Sequence, residues 1–175
     1  MLVYRSTGIN PLVLRRTQDA YGYVSMAFTV LVLGCAAVVT LLAFVPYASN
    51  WLGVITPLEI TSIKGLGWFC LVVSLLWMLI AQAQMGASWR VGIDSANRIE
   101  LVSKGLFTIS RNSIFLAIRL ALLGFFLVAP NAATLALLAA GEVIIQVQVR
   151  LEEKNLLGLH GSAYEQYFSK VPRWL

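Results

Sequence analysis

The chain has few charged residues and few of the side chains that usually bind metal ions. Only 12% of its 175 residues are charged and 59% are hydrophobic, whereas about a quarter of the residues of a soluble domain are charged. This composition excludes an ordinary soluble domain and predicts an integral membrane protein. One histidine, His160, and two cysteines are too few to predict a metal site. Cys35 and Cys70 lie inside apolar runs, so we expect them to be small hydrophobic residues and not a disulfide.

Basic residues outnumber acidic ones by 13 to 8, but they do not predict nucleic-acid binding. Apart from Arg15-Arg16 they occur singly between apolar segments, a distribution that is typical of orientation in a membrane. The N-terminal arm, which contains Arg5, and the segment 86–112 are both basic. By the positive-inside rule we expect both in the cytoplasm, and with them both termini of the chain.

Four apolar segments predict transmembrane helices, since each is near the length of about twenty residues that a crossing needs. They run roughly from Tyr21 to Val45, Gly65 to Met85, Ser113 to Ala129 and Ala132 to Val149. The last two are separated only by Pro130-Asn131, which predicts a tight helical hairpin. We therefore expect a single all-α domain, a membrane helical bundle of about four transmembrane helices, with an N-terminal hairpin (1–85) and a functional C-terminal part (86–175).

Two charged residues lie inside the predicted hairpin, Arg119 in the third segment and Glu142 in the fourth. They are almost equidistant from the turn, so an antiparallel hairpin places them at one depth. Because an unpaired charge is costly in hydrocarbon, the sequence predicts a contact between Arg119 and Glu142.

The chain beyond the fourth segment begins with an adjacent pair of acids, Glu152-Glu153. Two carboxylates at a membrane exit predict a cationic or hydroxyl-rich partner. The fourth helix is expected to continue into water to about Leu159, and Gly161 is expected to break it. Ser162-Ala163-Tyr164-Glu165 then predicts a capping box that opens a short cytoplasmic helix, which ends at Pro172.

Three polar motifs follow one another in the second half of the chain. They are Gly86-Ala87-Ser88-Trp89-Arg90 with Asp94, then Lys104-Gly105-Leu106-Phe107 leading to Arg111-Asn112-Ser113-Ile114-Phe115, and finally Arg150-Leu151-Glu152-Glu153 with Leu156, Gly161, Tyr164, Tyr167 and Val171-Pro172-Arg173. This order resembles the isoprenylcysteine carboxyl methyltransferase family and the related phospholipid methyltransferases. The family's middle motif usually reads Arg-His-Pro-x-Tyr, with Asn for His a common bacterial form, and Asn112 cannot titrate near neutral pH as a histidine does.

The resemblance implies an enzyme that uses S-adenosylmethionine to methylate the carboxylate or amine of a lipid or prenylated compound, at the cytoplasmic face of a bacterial inner membrane. It implies that Glu152 or Glu153 binds the ribose or the ammonium group of the cofactor. The other cofactor-binding residues would be Lys104, Gly105, Leu106, Phe107, Asn112, Ile114, Phe115 and Leu156. The candidates for orienting an anionic acceptor, since a guanidinium can hold a carboxylate or phosphate by two hydrogen bonds, are Arg90, Arg150 and Arg173.

Two other functions are compatible with the sequence. Membrane sterol reductases, which use NADPH, resemble this architecture but are generally much larger. The other alternative is a non-enzymatic membrane scaffold or small transport component, in which Arg119 and Glu142 mark a polar pathway. The sequence leaves the acceptor open between a carboxylate and an amine, and makes no prediction of oligomeric state.

Overall fold

The computed structural model describes residues 20–86 and 101–175, and within these two ranges the chain is helical without a β-strand. The α-helices of the described residues are α1 Ala20–Phe44, α2 Ala48–Trp51, α3 Thr61–Met85, α4 Ser113–Val128, α5 Ala132–His160 and α6 Ser162–Lys170. Short 3₁₀ helices occur at Thr56–Leu58 and Gly105–Thr108. The all-α prediction is confirmed for this part of the chain.

Three of these helices are long and apolar enough to cross a membrane: α1 and α3 with 25 residues each and α5 with 29. Helix α4 is also apolar but has 16 residues, which corresponds to about 24 Å against roughly 30 Å for the hydrocarbon layer of a bilayer. The predicted helical bundle is therefore confirmed, with three helices of spanning length and a shorter fourth.

The segment between α1 and α3 is more ordered than the loop that the sequence predicts from Pro46 to Lys64. It contains α2 and a 3₁₀ turn, and α3 begins at Thr61. The segment is also joined to the turn between α4 and α5, because Ile55 N donates to the carbonyl of Pro130 at 2.8 Å. The segment between α1 and α3 and the turn between α4 and α5 therefore lie at the same end of the bundle and are joined by this hydrogen bond.

The predicted hairpin of α4 and α5 is present, and its turn is closed by a capping box. The side chain of Asn131 accepts a hydrogen bond from Thr134 N at 2.9 Å, and the Thr134 hydroxyl accepts one from Asn131 N at 3.2 Å. Both residues are buried. Two backbone donors at the start of α5, Asn131 N and Thr134 N, are thus satisfied inside the protein.

Glycines allow α3 and α4 to approach very closely. A Cβ atom added at Gly67 would lie 2.7 Å from the backbone nitrogen of Val128 and 2.9 Å from the carbonyl oxygen of Gly124. No larger residue fits there without a backbone shift, and small residues are typical of such contacts between membrane helices. Helix α4 is consequently fixed on one side by α3 and on the other by α5.

The apolar core is formed where α1 meets α4 and α5. Its buried members are Leu31, Leu122, Ile145 and Val149. Val149 lies one turn before Glu153, so the apolar part of α5 ends next to the acids of the polar region. The core therefore fixes the position of that region relative to the bundle.

The C-terminal part follows the predicted outline but begins differently. Helix α5 continues to His160 and Gly161 ends it with φ 51°. The predicted capping box at Ser162 is wrong: the residue that caps α6 is Gly161, and no side chain makes a capping hydrogen bond. Instead the carbonyl of Gly161 accepts hydrogen bonds from Tyr164 N and Glu165 N at 3.0 and 3.1 Å.

Candidate functional site

Glu153 is the centre of a group of charged and polar side chains that lies where the apolar part of α5 ends. Its side chain is 8% exposed. Oε1 accepts hydrogen bonds from Arg111 Nη2, Asn112 Nδ2 and Arg173 Nε, each at 3.2 Å. Oε2 accepts from Arg173 Nη2 at 2.7 Å and from Arg173 Nε at 3.2 Å. These four residues, called the Glu153 cluster below, join α5 to the start of α4 and to the segment after α6.

Arg111 connects the Glu153 cluster to the end of α6. Its Nη1 donates to the carbonyls of Phe168 and Val171 at 2.6 and 2.7 Å, and its guanidinium carbon lies 3.9 Å from the centre of the Phe168 ring. A cation at this position is favourable because the carbonyl end of a helix carries partial negative charge. This role of Arg111 was not predicted from the sequence, although its place beside Asn112 in the middle motif was an available signal.

The two adjacent acids have opposite electrostatics. Burial alone would raise the pKa of Glu153, but hydrogen bonds from Arg173 and Asn112, together with the charges of Arg173 and Arg111, bring it below its usual value. Desolvation raises the pKa of Glu152 to about 7; the charge of Glu153 adds to this rise and a hydrogen bond with Gln148 opposes it. Near neutral pH Glu153 is therefore ionised, whereas Glu152 is close to half protonated.

Two tyrosines of α6 close the site on its other side. Tyr164 and Tyr167 are buried together with Val171, against Leu156, and Tyr167 donates to the carbonyl of Phe107 at 2.6 Å. Burial raises the pKa of each tyrosine to about 12. Both hydroxyls consequently remain protonated donors at neutral pH.

An open cavity of about 430 Å³ lies beside the Glu153 cluster, between α5 and α6. It combines charges of both signs with aromatic and apolar walls. Within the ranges 20–86 and 101–175 the carboxylate of Glu165 has no hydrogen-bond or ion-pair partner, so it is available to a ligand. The lining residues are Arg150, Glu153, Lys154, Leu157, Tyr164, Glu165, Phe168 and Arg173.

The structure brings several of the predicted site residues to this place. Asn112 and Glu153 are in direct contact, although 41 residues separate them in the chain. Arg173 binds the same carboxylate, Arg150 lines the cavity, and Leu156 packs against the two tyrosines.

Other predicted residues lie elsewhere. The loop that contains Lys104 and Gly105 contacts α3, where Leu106 N donates to Gln84 Oε1 at 2.7 Å. Gly105 has φ +63° and its Cα faces the Gln84 amide, so a side chain there would be both strained and obstructed.

The remaining predicted residues belong to the 3₁₀ helix Gly105–Thr108, the start of α4, the acid pair and the first polar motif. Phe115 packs on Phe28 of α1, with ring centres 6.3 Å apart, while Phe107 is buried and contributes its carbonyl to the Tyr167 bond. Ile114 and Glu152 are absent from the lining of the 430 Å³ cavity. Arg90 lies outside the described residues.

A polar stripe extends from the hairpin toward the cavity, and it contains the predicted ion pair. Arg119 Nε donates to Glu142 Oε2 at 2.7 Å, so this prediction is confirmed. Gln146 donates to Glu142 Oε1 at 2.8 Å, and Arg150 donates to Gln146 Oε1 at 3.0 Å. The polar stripe thus consists of Arg119, Glu142, Gln146 and Arg150.

No protein-family model, curated protein or solved structure matches this chain.

Proposed function

We propose that the protein is an S-adenosylmethionine-dependent methyltransferase that acts on a lipophilic acceptor at the cytoplasmic face of a bacterial inner membrane. The observation that carries the proposal is the contact of Asn112 with Glu153 at 3.2 Å, beside a cavity of about 430 Å³. The two residues come from the two motifs on which the resemblance chiefly depends. In this proposal both termini and the cavity lie on the cytoplasmic side.

The groups around the cavity suit the chemical parts of the cofactor. Lys154 can bind its carboxylate, and Tyr164 and Phe168 provide aromatic walls for its adenine. The free carboxylate of Glu165 can meet its ammonium group or its sulfonium. The volume also falls within the range of about 300–1,000 Å³ that is common for small-molecule sites.

Glu153 can contact the cofactor only if it exchanges one of its present partners. The side chain of Arg173 is 32% exposed and that of Arg111 is 6% exposed. Arg173 is therefore the partner that can turn into water at the lower cost, since a buried cation without its counterion is strongly disfavoured. An ammonium or ribose hydroxyl would take its place on Glu153.

The bound cofactor supplies a methyl group that is activated by its positively charged sulfur. The residues of the chain hold the acceptor in line with that group and keep water away from it. Asn112 does not titrate near neutral pH, and the hydroxyls of Tyr164 and Tyr167 stay protonated because burial raises the pKa of each to about 12. A carboxylate acceptor, which needs no base, suits this site better than an amine, and the exposed Arg150 is placed to orient it.

Isothermal calorimetry on detergent-purified protein tests the proposal. We expect S-adenosylmethionine and its demethylated product to bind at micromolar concentration and NADPH not to bind. Glu165→Gln should weaken the binding about tenfold, because it removes a charge-assisted contact. Glu59→Gln, at an exposed ion pair with Lys64, is the matched control and should have no effect. Binding of NADPH alone would favour the reductase alternative and end this proposal.

A non-enzymatic membrane scaffold is the second candidate, and one observation favours it. Both oxygens of Glu153 already accept hydrogen bonds from protein donors. The cluster can therefore be explained by a structural role alone, in which it holds α6 against the bundle. The same calorimetry decides between the two functions, because Glu165 lies outside the cluster. A scaffold would bind neither nucleotide cofactor in the unmodified protein, whereas the enzyme would bind S-adenosylmethionine and lose affinity in Glu165→Gln.

A further inference from the structure

The polar stripe exposes a cation at the level of the apolar helices. Arg119 is the seventh residue of α4, and its side chain is 30% exposed; that of Glu142 is 38% exposed. Such a pair is costly to leave against lipid tails unless polar groups complete its hydrogen bonding. Both side chains are therefore expected to use all their hydrogen-bonding groups.

Within the described residues, the guanidinium of Arg119 has N–H donors without a hydrogen-bond partner. Its Nε is taken by Glu142, and the ring of Trp174 covers its face at 4.3 Å. Among the residues that the structure describes, Nη1 and Nη2 have no hydrogen-bond partner. Glu142, in contrast, accepts on both oxygens, from Arg119 and from Gln146. Among the described residues, what this ion pair lacks is therefore a hydrogen-bond acceptor for the two Nη atoms of Arg119.

We propose that Arg119 and Trp174 form a binding site for the anionic head group, a carboxylate or a phosphate, of an amphiphile that enters from the membrane. Two guanidinium nitrogens with free N–H groups can hold such an anion in a bidentate manner. Glu142 fixes the orientation of the guanidinium through Nε, and the apolar surface of α4 accommodates the hydrocarbon chain.

The role of this amphiphile as the methyl acceptor rests on the proposed function, whereas its binding at Arg119 does not. Glu142 and Arg150 are eight residues apart on one face of α5, or about 12 Å. The Arg119 site is therefore separate from the cavity and serves as a staging position for the acceptor. Gln146 and Arg150 offer the next polar contacts on the way to the cavity.

The staging position is connected to the Glu153 cluster through neighbouring residues of the C-terminal segment. Trp174 lies on Arg119, and Arg173 binds Glu153. A head group that binds Arg119 beside the Trp174 ring would thus shift the segment that also carries Arg173, the partner that Glu153 must exchange. Arrival of the acceptor and release of Arg173 become linked events.

Quenching of tryptophan fluorescence tests the site in non-ionic detergent without any cofactor. Dibromostearate and its methyl ester carry the same quenching chain, and only the first has the anionic head. The signal of Trp174 is obtained as the difference between the protein and Trp174→Phe. We expect the carboxylate to quench this signal at about tenfold lower concentration than the ester, and dodecyl phosphate to compete with it.

The matched variant is Arg119→Gln combined with Glu142→Gln, which removes both charges and keeps a neutral hydrogen-bonded pair. It should abolish the difference between the carboxylate and the ester. Equal quenching by the two probes in the unmodified protein would overturn the proposal, and this comparison does not depend on whether the variant folds. Displacement by a zwitterionic phosphocholine detergent as effectively as by dodecyl phosphate would also overturn it.

Failure of the staging site and failure of the methyltransferase proposal can be told apart. If the carboxylate binds with the expected charge dependence but calorimetry detects no S-adenosylmethionine, the site stands as a lipid-anion site and the enzyme proposal falls. If the cofactor binds but the two probes behave alike, only the staging site is wrong.

Discussion

Replacement of Glu153 by glutamine should detach the C-terminal helix before it affects the rest of the bundle. The glutamine side chain would present one acceptor oxygen where Glu153 now accepts from Arg111, Asn112 and Arg173. Removing one partner of a buried ion pair usually costs about 3–5 kcal/mol. Arg173 can turn into water and Arg111 keeps its bonds to two carbonyls at the end of α6, so we expect the lower end, about 3 kcal/mol.

Hydrogen exchange of the amides in 162–172 measures this local loss, and thermal unfolding in detergent measures the global one. Protection of α6 should fall about a hundredfold, while the amides of α3 should be unchanged. Glu59→Gln breaks an ion pair whose side chains are each 39% exposed and should cost no more than about 1 kcal/mol. If Glu153→Gln were as mild as Glu59→Gln, the cluster would not be what holds α6.

The pH dependence of the unmodified protein provides a second measurement of the same cluster. The pKa of Glu153 in the folded protein lies below its ordinary value of 4.5. Its contribution is therefore complete above about pH 4.5 and is lost as the pH falls through the folded-state pKa. Protection of α6 should persist to a lower pH than an unperturbed glutamate would allow, and Glu153→Gln should remove this acid transition.

Three further predictions concern single residues around the site. Because the pKa of Glu152 is raised from 4.5 to about 7, its charge destabilises the fold as the pH rises through this range. Glu152→Gln should therefore be more stable than the unmodified protein above pH 7, on the order of 3 kcal/mol, and equally stable in acid; a difference independent of pH would contradict the raised pKa. Tyr167→Phe leaves the carbonyl of Phe107 without its 2.6 Å partner and should lower the free energy of unfolding by about 1–2 kcal/mol, whereas the exposed Tyr47→Phe should be neutral in the same thermal scan. Asn131→Ala removes the capping box of α5 and should cost about 1 kcal/mol; an unchanged unfolding midpoint would mean that the cap is dispensable.

The hairpin of α4 and α5 could be predicted from the sequence because its signals are local. A turn dipeptide, two apolar stretches and two charges at matched distances specify both the antiparallel arrangement and the contact of Arg119 with Glu142. The short length of α4 does not disturb this inference, since the register depends on distance from the turn.

The start of α6 shows where a local pattern misleads. Ser162-x-x-Glu165 fits a capping box, yet the residue before the helix is Gly161, which has a positive φ and whose carbonyl accepts from two amides, so the cap lies one residue earlier. A sequence pattern does not contain that backbone angle. The glycine itself was the competing signal.

Some features of the site could be predicted from the sequence and others could not. The resemblance predicts that Asn112 and Glu153 belong to one cofactor site, and the two side chains are in contact. It does not predict that Arg111 and Arg173 saturate the carboxylate, because that depends on how the segment after α6 returns to the bundle. Likewise Phe115 faces Phe28 rather than the cavity, since packing against α1 decides which face of α4 is turned inward.

The short fourth helix has a consequence for how the chain enters its membrane. Alone, α4 would bring an unpaired arginine into hydrocarbon, at about 2.5 kcal/mol on insertion scales, with only 16 residues to compensate. Its neighbour carries the opposite charge and follows after three residues. Biogenesis should therefore deliver the two helices to the bilayer as one electroneutral unit.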